Sequence, residues 1–563
     1  MKTVTFLPSG RKVEVVDGET ILEAYWRSSL PPISDCGGKG TCGKCQVRFL
    51  DNAPEPNPIE NDLLSPVALK AGYRLACQHR VVADIQVEAV PRTAGRVGWK
   101  LVAEVASDTR FDPPARRTED GRGVQVNGRR LDCEVGPSQP IKGLALDIGT
   151  TTLAGYLMDL ETGQQDAALS LWNPQAAYGG DVISRIGFAS EHAGGLKTLQ
   201  ESVVTGLNRL IKGLLGQSRC EARDIYHVAV AGNPTMVHLF LGVDAASIAA
   251  APYHPQFTER QIRDAASLGL DACPGALVET LPLVSGYVGA DTVAMALFLR
   301  LDTRQETCLA IDVGTNGEIL LASRGRIYAC SAAAGPAFEG ARISCGMRAE
   351  PGAIDSVALD PGNGLVRAHT IGDVRPRGLS GSGLVSAVAA LLEEGLVTAS
   401  GRFLPPDSTP ERWSSVLRGE GMQRRFVLSA NGNGLHDGEV ALTQRDVREL
   451  QLAKAAIGAG IRRLLDFAGL GPDDVEHVYL AGAFGSHLDP RSAIRIGLLP
   501  GLSQERVVPV GNAAGAGAKM VLYSREMRDL AVKIAQGTEY IELSTDPKFN
   551  ELFVEEMNFP EWV

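Results

Sequence analysis

Ten cysteines are spread unevenly along the chain: Cys36, Cys42, Cys45 and Cys77 cluster near the amino terminus, and the other six are scattered singly. The first three lie in Cys36-Gly37-Gly38-Lys39-Gly40-Thr41-Cys42-Gly43-Lys44-Cys45, where four glycines surround three thiols. That composition suits an iron–sulfur cluster. Four thiolates around two irons concentrate negative charge, which backbone N–H groups aimed at the sulfurs offset. Turning successive N–H groups inward needs unusual backbone angles and close approach, and glycine adopts both at little cost. The pattern C-x5-C-x2-C with one distant cysteine is one residue longer than the plant-type C-x4-C-x2-C…C arrangement. Zinc is the competing occupant, but it usually takes two C-x2-C pairs or histidines. Here there is one pair, and His79 is the only nearby histidine. The spacing predicts a [2Fe–2S] cluster, a carrier of one electron at a time with no reaction of its own.

A second set of residues repeats. Leu144-Ala145-Leu146-Asp147-Ile148-Gly149-Thr150-Thr151-Thr152 returns as Leu309-Ala310-Ile311-Asp312-Val313-Gly314-Thr315-Asn316-Gly317. His227-Val228-Ala229-Val230-Ala231-Gly232 returns as His477-Val478-Tyr479-Leu480-Ala481-Gly482. Each Asp-x-Gly-Thr ends an apolar strand run, and its tight turn presents backbone N–H groups and hydroxyls to phosphate. Each aspartate offers an oxygen to Mg²⁺ or to one of its waters. One such motif alone reads as a plain hairpin turn. Two at lobe-length separation, each followed by an Ala-Gly strand end, point to a nucleotide cleft between two similar α/β lobes. Ser380-Gly381-Ser382-Gly383 opens an apolar run and reads either as a helix N-terminus near phosphate or as a capped core helix. Asp291, at the start of another helix, either orients a water or caps that helix.

The elements that must hold these residues are partly legible. Val4 and Phe6, then Pro8-Ser9-Gly10, then Val13 and Val15 read as a hairpin. Ile21 to Trp26 reads as a short helix stopped before Pro31-Pro32, with strands expected at Gln46–Leu50 and Ile85–Val90. Residues 93–140 are dense in Arg, Asp, Gly and Pro and read as a partly ordered tether in which only Leu101-Val102-Ala103 and Val124-Gln125-Val126 are strand-like. Thr443-Gln444-Arg445-Asp446 begins a long helix whose stripe of Val447, Leu450, Ala453, Ile457, Ile461 and Leu464 is a core face.

Composition bounds the partners. The 563 residues imply about four domain-sized units at ~150 residues each. A net charge of −11 and a pI near 5.5 disfavour duplex nucleic acid and anionic membranes. Nothing approaches the ~18 apolar residues of a membrane span, and the first residues read as a strand rather than a secretory signal. Unclustered thiols without an export signal point to the cytoplasm.

Residues 1–92 resemble a β-grasp ferredoxin domain, the longer cysteine spacing being adrenodoxin-like. From about 141 to 525 the chain resembles the actin/sugar-kinase/Hsp70 ATPase superfamily. Asp147 to Thr152 stands where its first phosphate motif lies, Asp312 to Gly317 where its second lies, and Gly482, Ala483 and Phe484 fall in the adenosine motif. Asp291 stands near the catalytic aspartate of the sugar kinases. The expected fold is α/β and multidomain: a ferredoxin domain (1–92), a linker (93–140) and a duplicated RNase H-like ATPase domain (141–563, lobes about 141–300 and 301–563).

Further motifs extend the likeness across nearly the whole chain: Asn173-Pro174-Gln175, Tyr178-Gly179-Gly180-Asp181, Ala231-Gly232-Asn233-Pro234-Thr235-Met236, Gly335-Pro336-Ala337-Phe338-Glu339-Gly340-Ala341 and Met557-Asn558-Phe559-Pro560. With these the chain resembles the reductive activators of corrinoid proteins. That resemblance implies an ATP-hydrolysing electron-transfer protein with [2Fe–2S], ATP and Mg²⁺. It would return the cob(II)alamin-type cofactor of a partner methyltransferase or corrinoid protein to Co(I), fed by an upstream donor that the sequence does not name. It also implies a homodimer formed through the ATPase domain. The implied catalytic residues are Asp147, Asp312 and Asp291. The implied nucleotide contacts are Gly149, Thr150, Thr151, Thr152, Gly314, Thr315, Asn316, Gly317, Glu339, Gly381, Ser382, Gly482, Ala483 and Phe484. One departure is expected: larger family members carry a middle domain after the linker, and this tether leaves little room for it. Three rivals remain: an activator of another low-potential enzyme, a metabolite kinase with a redox-sensing domain, and a ferredoxin-dependent oxidoreductase. The last lacks any G-x-G-x-x-G after a strand.

Overall fold

The amino-terminal alternation forms a hairpin in which β1 (Lys2–Leu7) and β2 (Arg11–Val15) pair antiparallel around Pro8-Ser9-Gly10. The computed structural model describes the chain except residues 1, 17, 29–32, 34–37, 39, 41–42, 65, 90–108, 341, 431–437 and 562–563. Val4, Phe6, Val13 and Val15 turn to one buried face, as a period of two demands. Thr20 and Glu23 then form a capping box that starts the helix Ile21–Arg27. Three more strands, β3 (Gln46–Phe49), β4 (Tyr73–Leu75) and β5 (Ile85–Ala89), complete a sheet in the order β2-β1-β5-β3-β4. Because β1 and β5 run parallel and the rest antiparallel, this is a β-grasp head, with a core of its own. Phe6 meets Tyr25 edge-on at 5.0 Å and fastens helix to sheet.

The stretch expected to be a tether differs where it is described. Residues 93–108 lie outside the described residues. From 109 onward the chain is packed, and β6 (Ala115–Arg117), β7 (Val124–Val126) and β8 (Arg129–Arg130) form a small sheet. Ala115, Val124, Val126, Leu131 and Val135 join the core of the first lobe. Arg525 grips the Asp112 carboxylate through two nitrogens, and the Gln139 amide donates to Asp224 and Tyr226. The strand-like Val124-Gln125-Val126 forms β7, whereas the other two strands, of three and two residues, are too short to show alternation in the sequence.

The duplication is present in the sheets. β9 (Lys142–Ile148), β10 (Thr152–Asp159) and β11 (Gln165–Trp172) form an antiparallel meander, and β12 (Ile225–Gly232) returns parallel to β9. With β13 (Ile262–Asp264) and β14 (Leu277–Thr280) the order is β11-β10-β9-β12-β14-β13. The second lobe repeats this with β15 (Cys308–Val313), β16 (Gly317–Ser323) and β17 (Arg326–Ala332). Two three-stranded sheets follow: β18 (Ala353–Asp360), β19 (Leu365–Thr370) and β20 (Gly378–Leu379), then β21 (Leu417–Arg418), β22 (Arg425–Ser429) and β23 (Val440–Thr443). β24 (His477–Ala481) then runs parallel to β15, and β25 (Val507–Gly511) and β26 (Thr538–Tyr540) close the order β25-β24-β15-β16-β17-β26. In each lobe the motif aspartate lies beside the alanine of the Ala-Gly strand end: Asp147 opposite Ala231, Asp312 opposite Ala481.

The lobes are not contiguous in sequence. The helix Ala513–Tyr523 returns to the core of the first lobe and packs on the helix Ala290–Phe298. A β-carbon at Gly517 would overlap the Ala294 backbone, so that crossing requires glycine. The helix Gln444–Ala468 buries its expected stripe in the second-lobe core.

Burial of β7 makes the segment before Lys142 part of the first lobe's stability. Val126→Ala removes apolar volume from a fully buried site and should cost about 2 kcal/mol. In thermal unfolding the transition of the two lobes should fall, while loss of the head's visible absorption should not move.

Candidate functional site

The head brings two of its four cysteines together through its backbone. The Ala76 N–H donates to the Cys45 carbonyl at 2.7 Å, joining the segment before β3 to the one that carries Cys77. The Leu22 N–H donates to the Ala76 carbonyl, so the helix Ile21–Arg27 is tied to the same place. Cys36 and Cys42 lie outside the described residues. Gly38 has φ +92°, which favours glycine, and a β-carbon there would lie in van der Waals contact with Leu22, Trp26 and the Cys77 β-carbon. His79 is committed elsewhere: its Nε2 sits 2.9 Å from the buried Glu60 carboxylate. With His79 so engaged, the described Cys45 and Cys77 fit the sulfur donors of a [2Fe–2S] group rather than a mixed zinc site.

The two Asp-x-Gly-Thr turns face one cleft between the lobes. Its walls include Asp147, Gly149, Thr150, Thr151 and Thr152 from the first lobe and Asp312, Gly314, Thr315 and Asn316 from the second. Asp291, Glu339, Gly381, Ser382, Gly482 and Phe484 line the same space. Gly317 does not line it: its missing side chain makes room for Ile457 beneath the floor. Ala483 lies in the short helix Gly482–Gly485, and its side chain is outside the described residues.

Each turn is braced from behind. The Gly149 N–H donates to the Thr152 carbonyl at 2.9 Å, closing the first turn. The Asn173 amide donates to the Gly149 carbonyl, the Asn233 amide to the Thr150 hydroxyl, and the buried Arg185 guanidinium to the Thr150 carbonyl. In the second turn the Thr315 hydroxyl donates to Glu339 at 2.6 Å. The other Glu339 carboxylate oxygen is buried without a partner among the described residues, an acceptor left for a ligand. Gly381 begins the helix Gly381–Glu393, and its lack of a side chain lets it lie against the Phe338 carbonyl. Ser380 caps that helix, accepting from the Gly383 N–H, and the capped N-terminus lines the cleft.

Carboxylates dominate the floor. Burial first, then the charges of Asp291 and Asp312, push Asp147 up to about 7, although the Asn512 amide donates to it at 2.9 Å. Burial, then Asp291 and Glu339, push Asp312 up to about 7. Burial raises Asp291 to about 6 against the stabilising Thr292 N–H at 2.7 Å. Asp291 thus bonds at its helix start and also faces the cleft. Glu318, cross-strand partner of Asp312, is held well above the usual carboxylate range by burial and by Asp291 and Asp312. Such a set suits a hydrated Mg²⁺, which neutralises carboxylates while keeping most of its waters.

Several cleft residues were not visible in the sequence. Arg348 of the second lobe stacks over the Trp172 ring of the first at 4.4 Å, spanning the cleft. Asn512 reaches Asp147 from the carboxy-terminal crossing helix it caps. Gly511-Asn512 before a small-residue helix was a readable capping signal, whereas the Arg348–Trp172 pair carries none.

The raised acids predict proton release on ligand binding. At about pH 6.5 Asp147 and Asp312 are largely protonated and Mg²⁺ must displace those protons, and at about pH 8.5 both are already ionised. Calorimetry of Mg²⁺–nucleotide binding should therefore depend on buffer ionisation heat at the lower pH and lose that dependence at the higher one. Asp147→Asn should reduce the proton count.

Comparison with known proteins fits this layout. Residues 4–82 match the 2Fe-2S iron-sulfur cluster binding domain, 142–304 the RACo middle region, and 306–562 the C-terminal domain of RACo, the ASKHA domain. The middle-region match corrects the expectation that this chain has little room for that domain, because the first lobe is itself that region. The chain is 39% identical to the corrinoid activation enzyme RamQ of Eubacterium limosum, covering 96% of each. It is 27% identical to the [Co(II) methylated amine-specific corrinoid protein] reductase of Methanosarcina barkeri, over 74% of this chain and 77% of that one. The solved structure of a reductive activator for a corrinoid, iron-sulfur protein superposes with a TM-score of 0.72 at 30% identity, covering 100% of this chain and 99% of the other. By this similarity along its length, the chain belongs to the family of reductive activators of corrinoid proteins.

Proposed function

We propose that the chain is an ATP-dependent reductive activator. It passes single electrons from its [2Fe–2S] head to the cob(II)alamin-type cofactor of a partner corrinoid protein or methyltransferase, restoring Co(I). The observation that carries this reading is the union of a 2Fe-2S domain and a two-lobed cleft lined by both Asp-x-Gly-Thr turns, in one chain related end to end to a corrinoid activation enzyme. When bound, the cluster supplies one low-potential electron per transfer.

The chain's own residues divide the rest. Gly149 to Thr152 and Gly314 to Asn316 grip the nucleotide phosphates from opposite lobes, with N–H groups and hydroxyls as donors. Asp147 and Asp312 hold Mg²⁺ through its waters. Asp291, with its acidity lowered by burial, orients the attacking water and takes its proton. Gly482, Ala483 and Phe484 flank the adenosine, with the Phe484 ring 4.8 Å from that of Phe338. Gripping one polyphosphate from both sides couples hydrolysis to lobe movement. That coupling is useful because every ~59 mV of uphill one-electron transfer costs a factor of ten. The working form is a homodimer joined through the two-lobed domain and acts in the cytoplasm. Among the described residues no helix is long and apolar enough to cross a membrane.

The test is to add MgATP and dithionite-reduced protein to candidate corrinoid proteins and follow the cobalt visible spectrum. ATP-dependent loss of the Co(II) band is the expected result, and Asp312→Asn should slow it at least a hundredfold, the scale of losing a transition-state charge partner. Phosphate transferred to a small metabolite instead of released would favour the kinase reading of Asp291.

A further inference from the structure

Contacts among the described residues seat the head on the two-lobed body on both sides of the cleft. On the first lobe, the Trp26 ring lies 5.6 Å from Tyr178 and 5.7 Å, edge-on, from Phe188, which are themselves 4.9 Å apart. On the second lobe, the Lys44 Nζ donates to the Gly346 carbonyl at 3.3 Å. Both head residues belong to the cluster's surroundings. Lys44 stands between Cys42 and Cys45 in sequence, and Trp26 packs under Gly38, beside Cys77.

Both footholds are also continuous with the nucleotide site. Phe188 lies on the helix Val182–Glu191, one turn from Arg185, whose guanidinium holds the Thr150 carbonyl. Gly346 directly precedes Met347 and Arg348, which line the cleft, and Arg348 reaches across to Trp172. A shift of either lobe relative to the other therefore alters the distance between the footholds. The seat is also imperfect: the buried Trp26 indole N–H has no acceptor among the described residues. Such a contact separates more readily than one whose polar groups are all paired.

The Trp26 and Lys44 contacts set the body against the part of the head that holds Gly38, Cys45 and Cys77. A cluster held in part by Cys45 and Cys77 would lie near this face, and an acceptor approaching it there would need the space that the body fills. We propose that the body and the corrinoid partner bind the same face of the head, and that nucleotide in the cleft decides between them by releasing the Trp26 and Lys44 footholds. The identity of the partner rests on the proposed function; the nucleotide-controlled release does not.

Hydrogen exchange on the holoprotein tests the release without any corrinoid. Protection of the helix Val182–Glu191 and of the segment Cys345–Arg348 should fall about tenfold on adding Mg²⁺ and a non-hydrolysable ATP analogue, equivalent to about 1.4 kcal/mol of docking. Trp26→Ala should show the lowered protection of the helix without nucleotide, and so should Phe188→Ala, which leaves the head untouched. Chemical cross-linking of the reduced protein to a corrinoid protein should rise with the analogue and in both variants. Unchanged protection with nucleotide bound, or cross-linking indifferent to the footholds, would overturn the proposal. Release without any cobalt reduction would leave it standing and refute the proposed function instead.

Discussion

Asp147, Asp291 and Asp312 face one cleft where burial makes all three harder to ionise, and the charge of Asp291 adds to that for the other two. Glu318 adds a fourth carboxylate directly across the strand from Asp312. Like charges so placed repel one another and cost stability unless something positive lies among them. The rest of the fold is arranged around that unrelieved charge. The duplicated meanders deliver one aspartate from each lobe, the Ala-Gly strand ends leave space beside them, and the crossing helix brings Asn512 as a single neutral donor. A cation with its phosphates is the natural complement, and holding it commits both lobes to one geometry.

The braces behind the turns explain how so local a charge event reaches far residues. Thr150 is held by Arg185 and Asn233, and Thr315 by Glu339, so neither phosphate turn moves alone. Arg185 is fully buried with its donors spent on carbonyls, an amide oxygen and a thioether, a rigid link between turn and helix. The Arg348–Trp172 stack is different in kind, since it joins the lobes directly across the opening. Closing around a nucleotide must keep, tighten or break it, whereas the braces travel with their own lobes.

Much of this was legible in the residues. The cysteine spacing with its glycines named the cluster, and two Asp-x-Gly-Thr runs with matching Ala-Gly ends gave the cleft, because strand tips that bind phosphate need small residues at fixed places. What stayed hidden depends on tertiary pairing. Arg348 and Trp172 lie far apart in sequence and meet only through the lobe arrangement. Of β6 to β8 only Val124-Gln125-Val126 reads as a strand in the sequence, and nothing there shows that Val124 and Val126 are fully buried against the first lobe. Gly317 looked like part of the phosphate turn, but its glycine serves Ile457 packing. The return of Ala513–Tyr523 to the first lobe likewise leaves only small residues as its trace.

The central claim is that nucleotide turnover in this cleft drives the electron off the head. Freeze-quench electron paramagnetic resonance of the dithionite-reduced cluster, mixed with corrinoid protein after excess reductant is removed, tests it most directly. The account predicts that the reduced-cluster signal persists until MgATP is added and then decays as a Co(II) signal disappears with it. Equal decay without nucleotide would contradict it.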